Sequence, residues 1–226
     1  MKSLLSNVFL FSLSIVIISC SDSKKENESN ELKDSVSFNK FIDKFKNGNT
    51  HRTGTYKISK NKRDTLSTKF GQWFWYYPTG QIEQSANYNN SGRLIGQALR
   101  YYQNGKIELI DNYSDESKLM EQKKYSEAGM LTSKFVEENK IIYKEYYYSN
   151  GCIKSESITR TEIVDLDNEN YRVDTITRMT KKYYYLSGVL YTRGEYINDE
   201  NNGKYSVWDE NGDLVLDTVI GKPYTN

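Results

Sequence analysis

Residues 71–113 read GQWFWYYPTGQIEQSANYNNSGRLIGQALRYYQNGKIELIDNY, and the stretch says nearly the same thing twice. The first copy holds Gly71, an aromatic run to Tyr77, a turn ending at Gly80, then Ile82 and Tyr88. The second holds Gly96, Leu99 to Tyr102, a turn ending at Gly105, then Ile107 and Tyr113. Aligning the rest of the chain on this unit gives six turn glycines: Gly80, Gly105, Gly129, Gly151, Gly188 and Gly212, separated by 25, 24, 22, 37 and 24 residues. Four residues before each stands an aromatic (Tyr76, Tyr101, Tyr125, Tyr147, Tyr184, Trp208). Two after each stands an aliphatic (Ile82, Ile107, Leu131, Ile153, Leu190, Leu214). A repeat array follows.

The unit's chemistry predicts a hairpin. Glycine supplies the positive φ of a tight turn, and the flanks are rich in Tyr, Ile, Val and Thr with polar residues between. About 24 residues accommodate two strands and two turns. Consecutive hairpins then pair into an all-β, elongated, twisted single antiparallel sheet over residues 53–226. The 37-residue spacing holds an insertion. Ser155 to Asp165 and Tyr171 to Lys182 read as one hairpin with lengthened strands that projects beyond its neighbours. Leu214 to Ile220 reads as a closing strand, and Pro223 blocks further pairing. Residues 53–68 can be read as a degenerate leading strand pair. Val36, Phe38, Phe41, Ile42 and Phe45 include the spacing of one helical face, so residues 36–48 are expected to form a short amphipathic helix capping the first repeat.

The pattern Gly71-Gln72-Trp73-Phe74-Trp75-Tyr76-Tyr77-Pro78-Thr79-Gly80-Gln81-Ile82 resembles the MORN-repeat variant of bacterial proteins, a group that includes antitoxin-like repeat proteins. The resemblance covers roughly Lys69 to Ile220. It departs from the pattern at Met120 and Ile142, where a leading glycine is expected, and at Trp208, which replaces Tyr. It implies a hairpin scaffold that binds proteins or lipid headgroups and has no catalytic residues; an antitoxin or immunity role rests on the family label alone.

The amino terminus carries a different signal. Val8 to Ile18 is an almost unbroken apolar run of 11 residues, too short to span a bilayer as a helix. It ends Ile17-Ile18-Ser19-Cys20 and turns abruptly polar. This resembles a bacterial lipoprotein signal, which implies cleavage after residue 19 and lipid attachment at Cys20. The mature chain is then held at the outer membrane or on a periplasmic membrane face. Residues 20–35 read as a solvated tether.

Composition bounds the function. The chain is 37% hydrophobic and 27% charged, with 20 Tyr, 8 Phe and 3 Trp. Tyrosine buries a ring while its hydroxyl stays wet, which suits a thin sheet solvated on both sides. A net charge of +1 excludes the basic excess that nucleic acid requires. No cofactor motif is present. Cys152 lies far in sequence from the single histidine, His51, and reads as a strand residue; His51 reads as a surface residue. Asp165-x-Asp167-x-Glu169 lacks the glycine and the distal glutamate of a calcium loop, and Asp209 to Asp213 is a hairpin turn, so no metal site is expected.

Strand alternation separates two sets of side chains. The aromatic four before each glycine forms a packing spine. The positions five and three before it give a variable face: Trp75, Tyr77, Arg100, Tyr102, Tyr146, Tyr148, Tyr183 and Tyr185. Such a row of rings and cations suits a protein partner, lipid headgroups, or a glycan stacked on aromatic rings in a carbohydrate-binding or carbohydrate-active envelope protein; the alternative reading is cross-strand packing.

Overall fold

The computed structural model describes residues 35–167, 172–198 and 200–221. The residues read above as a signal and a tether, with Cys20 and everything up to residue 34, lie outside the described residues, as does Pro223. The described residues form one antiparallel sheet of fourteen strands, each paired with its neighbours in sequence. The strands are β1 (Ser35–Lys44), β2 (Thr50–Lys60), β3 (Thr65–Tyr76), β4 (Ile82–Tyr88), β5 (Leu94–Tyr101), β6 (Ile107–Tyr113) and β7 (Leu119–Tyr125). There follow β8 (Leu131–Glu138), β9 (Ile141–Tyr147), β10 (Ile153–Asp167), β11 (Arg172–Tyr184), β12 (Leu190–Ile197), β13 (Glu200–Trp208) and β14 (Leu214–Ile220).

Each repeat uses one hairpin geometry. The six turn glycines have φ between +80° and +91°. In the first, the Tyr77 N–H donates to the Gln81 carbonyl at 2.8 Å and the Gly80 N–H donates to the Tyr77 carbonyl at 2.8 Å. The same two bonds recur at all six turns. This is a three-residue hairpin loop whose left-handed glycine leads into a bulge. The spine aromatic pairs with the aliphatic two after the glycine in every copy, from Tyr76 with Ile82 to Trp208 with Leu214. The residue before the aromatic pairs with the one four after the glycine, as in Trp75 with Gln84.

Successive repeats join in a constant register. The residue four after one glycine pairs with the residue five before the next: Arg52 with Trp75, Gln84 with Arg100, Leu109 with Lys124, Ser133 with Tyr146, Ser155 with Tyr183 and Thr192 with Val207. One cross-strand row therefore runs through all fourteen strands.

The helix expected over residues 36–48 is a strand instead. β1 and β2 form a hairpin of the same construction, turning at Gly48, with Lys44 paired with Thr50 and Asp43 with Arg52. The Phe45 N–H donates to Asn49 and the Gly48 N–H to Phe45, as in the other turns. Val36, Phe38 and Ile42 fall on one strand face and Phe41 on the other, so an apparent helical stripe is two strand faces superimposed. The apolar side chains found a partner in β2 and in Phe70, whose ring lies 4.9 Å from Phe38. The sheet thus begins at Ser35, ahead of the expected boundary at residue 53, and residues 53–68 belong to β2, β3 and the turn between them.

The densest packing lies on the face that carries Trp73. Trp73 is fully buried. Its indole lies flat on Gly54, where a Cβ would stand 2.2 Å from the ring, and its N–H donates to the Thr55 carbonyl at 3.1 Å. Phe41, Tyr56 and Trp75 surround it at centroid distances of 5.7, 4.8 and 5.9 Å. Farther along, the interior is thin: Ala86, Ala98 and Ile176 are the other buried apolar residues among those described. The long β10–β11 hairpin projects as expected. The two strands pair with each other out to Asp167 and Arg172, whereas β9 reaches only Arg160 and β12 only Arg178.

Candidate binding site

The eight side chains of the variable face divide into three groups. Tyr77, Tyr102, Tyr148 and Tyr185 stand at the turns, and their hydroxyls donate to the spine carbonyl of the following repeat. The acceptors are Tyr101, Tyr125, Tyr184 and Trp208, at 2.6, 2.7, 2.8 and 3.1 Å. These tyrosines are latches between repeats. The third copy has Ser126 there, whose hydroxyl instead accepts from the Met130 N–H. A second latch uses asparagine one residue before the glycine: Asn47, Asn104 and Asn150 donate side-chain amides to the carbonyls of Pro78, Glu127 and Leu186.

Trp75 belongs to the aromatic cluster around Trp73. The Lys69 ammonium lies 5.1, 4.6 and 5.1 Å from the ring centroids of Trp73, Trp75 and Tyr88, and burial lowers its pKa, with Arg52 adding repulsion. Arg100 lies 4.0 Å from Glu108.

Tyr146 and Tyr183 form the third group. The two residues are 50% and 44% exposed, and they flank a trough of about 480 Å³ over β10. Its floor on β10 is Ser155, Ser157 and Thr159 together with Glu156, whose carboxylate is taken up by Lys182 and Tyr184; its walls are β9 and β11. Three cross-strand rows build it: Tyr146–Ser155–Tyr183, Lys144–Ser157–Lys181 and Ile142–Thr159–Met179. Aromatic faces aromatic, cation faces cation and aliphatic faces aliphatic. The Lys181 ammonium lies 4.6 Å from the Tyr196 ring centroid, and among the described residues neither trough lysine has an ion-pair partner. Glu137, beside Ile142, is paired with Lys118.

The trough side holds Arg52 with Asp43 and Lys118 with Glu137; the opposite face is denser in ion pairs. There Lys123 pairs with Glu121, Lys134 with Glu145, Lys182 with Glu156, Arg178 with Glu162 and Lys204 with Asp217. Two spine hydroxyls join this network: Tyr147 donates to Glu145 at 2.6 Å and Tyr184 to Glu156 at 2.9 Å. Burial, then the adjacent carboxylate, pushes each phenol up to about 12. Burial opposes ionisation of Glu156, yet the bonds from Lys182 and Tyr184 outweigh it and hold its pKa below the ordinary value.

Elsewhere, His51 is half-buried between the Phe45 ring, 4.4 Å away, and Asp43, whose carboxylate accepts at 3.2 Å. Cys152 is a half-buried free thiol. Among the described residues no three His, Cys, Asp or Glu side chains converge as a metal site.

Residues 71–90 and 94–115 match a family model described as MORN repeat variant. The match supports a MORN-repeat protein. It covers well under half of the chain, on the two copies quoted first above; MORN repeats generally serve as protein- or lipid-binding modules. No curated protein matches the chain. Thirteen chains among solved structures match; one, titled "Crystal Structure of TcdB2-TccC3-TEV", aligns over 83% of this chain at 9% identity with a TM-score of 0.20. This chain spans only 12% of that one.

The sequence reading missed Lys144, Lys181 and the hydroxyl floor. The signal was present in Ser155-Glu-Ser157-Ile-Thr159, where small hydroxyl residues alternate along one strand between two larger neighbours.

Proposed function

We propose that the protein is a non-catalytic, lipid-anchored MORN-repeat scaffold of the bacterial cell envelope, which binds a protein partner on the Trp73 side of its sheet. The observation that carries this reading is the contrast between the faces. On one side Lys134 and Lys182 are neutralised across strands by Glu145 and Glu156; the other presents two exposed tyrosines and, around an open trough, two lysines without an ion-pair partner among the described residues. Exposed rings beside unpaired cations suit partner recognition. The Ile17-Ile18-Ser19-Cys20 segment supports anchoring through Cys20.

Crosslinking the full chain in its native membrane, beside a Tyr146→Ser/Tyr183→Ser variant, tests the partner. A crosslinked protein lost in the variant, with the circular dichroism spectrum unchanged, is the expected result; a partner retained in full counts against this face. Cys20→Ser is expected to abolish fatty-acid labelling and release the chain from the membrane fraction. If the released chain still partitions onto lipid vesicles, the sheet itself binds headgroups and the protein-partner reading is replaced. Stacking of a sugar on Tyr146 or Tyr183 is the second reading, favoured by their exposure, and a glycan array scores it.

A further inference from the structure

The trough over β10 has a spacing of its own. Its three rows sit on Ser155, Ser157 and Thr159, two residues apart on one strand, so they follow one another at about 6.6–6.8 Å. An extended peptide has that same period between side chains on one face. The walls, β9 and β11, are two strand spacings apart, about 9.5 Å. A chain lying along β10 therefore keeps step with the rows, which a sugar polymer with a different monomer length does not.

Resting on the partner reading above, we propose that this trough receives an extended acidic peptide segment of the partner. An apolar or aromatic residue sits between Tyr146 and Tyr183, an Asp or Glu two positions along sits between Lys144 and Lys181, and an aliphatic residue two further sits between Ile142 and Met179. Charge complementarity selects the middle residue. Lys144 and Lys181 flank Ser157 in one cross-strand row, the Lys181 ammonium resting over the Tyr196 ring, and neither has an ion-pair partner among the described residues, whereas five cations on the other face are matched to carboxylates. A carboxylate over Ser157 is attracted by both cations, accepting from Lys144 and from Lys181 as its ammonium swings in from the Tyr196 ring. The hydroxyl floor offers donors and acceptors to the peptide's polar backbone, and large floor side chains would have filled the space.

The test is selection of random twelve-residue phage-displayed peptides on the full chain in detergent micelles. The expected winners carry an acidic residue with an aromatic or apolar residue two positions to one side and an aliphatic two positions to the other. They bind Lys144→Glu/Lys181→Glu at least tenfold more weakly, bind Lys144→Gln/Lys181→Gln at an intermediate level, and bind the opposite-face control Arg160→Glu as they bind the parent. Winners with no acidic position, winners held equally by the double glutamate variant, or a selection that yields no binder would each overturn the assignment. The two readings fail separately. A crosslinked partner that survives Lys144→Glu/Lys181→Glu removes the trough and leaves the scaffold, whereas absence of both partner and peptide removes both.

Discussion

Tyr102 shows how one residue ties two repeats together. Its hydroxyl crosses to the Tyr125 carbonyl, at a point where the bulge takes that carbonyl out of regular pairing. A net hydrogen bond contributes about 0.5–1.5 kcal/mol, so Tyr102→Phe and Tyr148→Phe are each expected to lower the unfolding free energy by about 1 kcal/mol in urea titration. Ser126 is the converse case, and Ser126→Tyr, aimed at the Tyr147 carbonyl, is expected to raise stability by up to about 1 kcal/mol; no gain would show that the turn cannot seat a ring there. Gly54 is constrained for another reason. Its φ is unexceptional, but Trp73 occupies the position of a Cβ. Gly54→Ala therefore forces the indole away and should cost about 1–3 kcal/mol, with a change in tryptophan fluorescence that reports the displaced ring.

At the scale of the element, the hairpin is the unit that moves intact through sequence. Deleting Gln81 to Gly105 joins Gly80 to Lys106 and restores a turn of the same composition, with Trp75 then facing Leu109. The shortened chain is expected to fold, and its urea m-value to fall by about a seventh because m follows the surface exposed on unfolding. A molten product would show that the first and second repeats are not interchangeable. The hairpins were legible because glycine, spine aromatic and aliphatic each answer a backbone requirement: a left-handed turn, a bulge and its partner. The hairpin at Gly48 was not legible in that way, since Lys44 and Thr50 replace the aromatic and the aliphatic. Its Asn47-Gly48 turn matches Asn104-Gly105 and Asn150-Gly151, and that was the available clue. The latch role of Tyr77 and its equivalents was hidden because alternation assigns a residue to a face but says nothing of a hydroxyl that reaches the next repeat.

Across the whole sheet, each strand is paired only with its sequence neighbours, so stability is close to a sum over repeats and their junctions. The junction between the β7–β8 and β9–β10 hairpins has no tyrosine latch, and hydrogen exchange is expected to rise there first. Alkali supplies a second global probe. Tyr147 and Tyr184 have folded pKa values near 12 against an ordinary 10, so the folded state holds protons that the unfolded chain has released. Their contribution is complete below pH 10 and is lost as pH rises from 10 towards 12. Tyr147→Phe/Tyr184→Phe should flatten that decline in melting temperature; an unchanged slope would place the titrating groups elsewhere.

The unchanging register between repeats gives the sheet the property of a graduated scale. Any two stations on its continuous row are separated by a whole number of identical steps, each of two strands or about 10 Å, with a fixed increment of twist. Gain or loss of one hairpin by unequal recombination would therefore shift the spacing of the recognition features by one graduation while leaving each feature, and each joint between repeats, as it was.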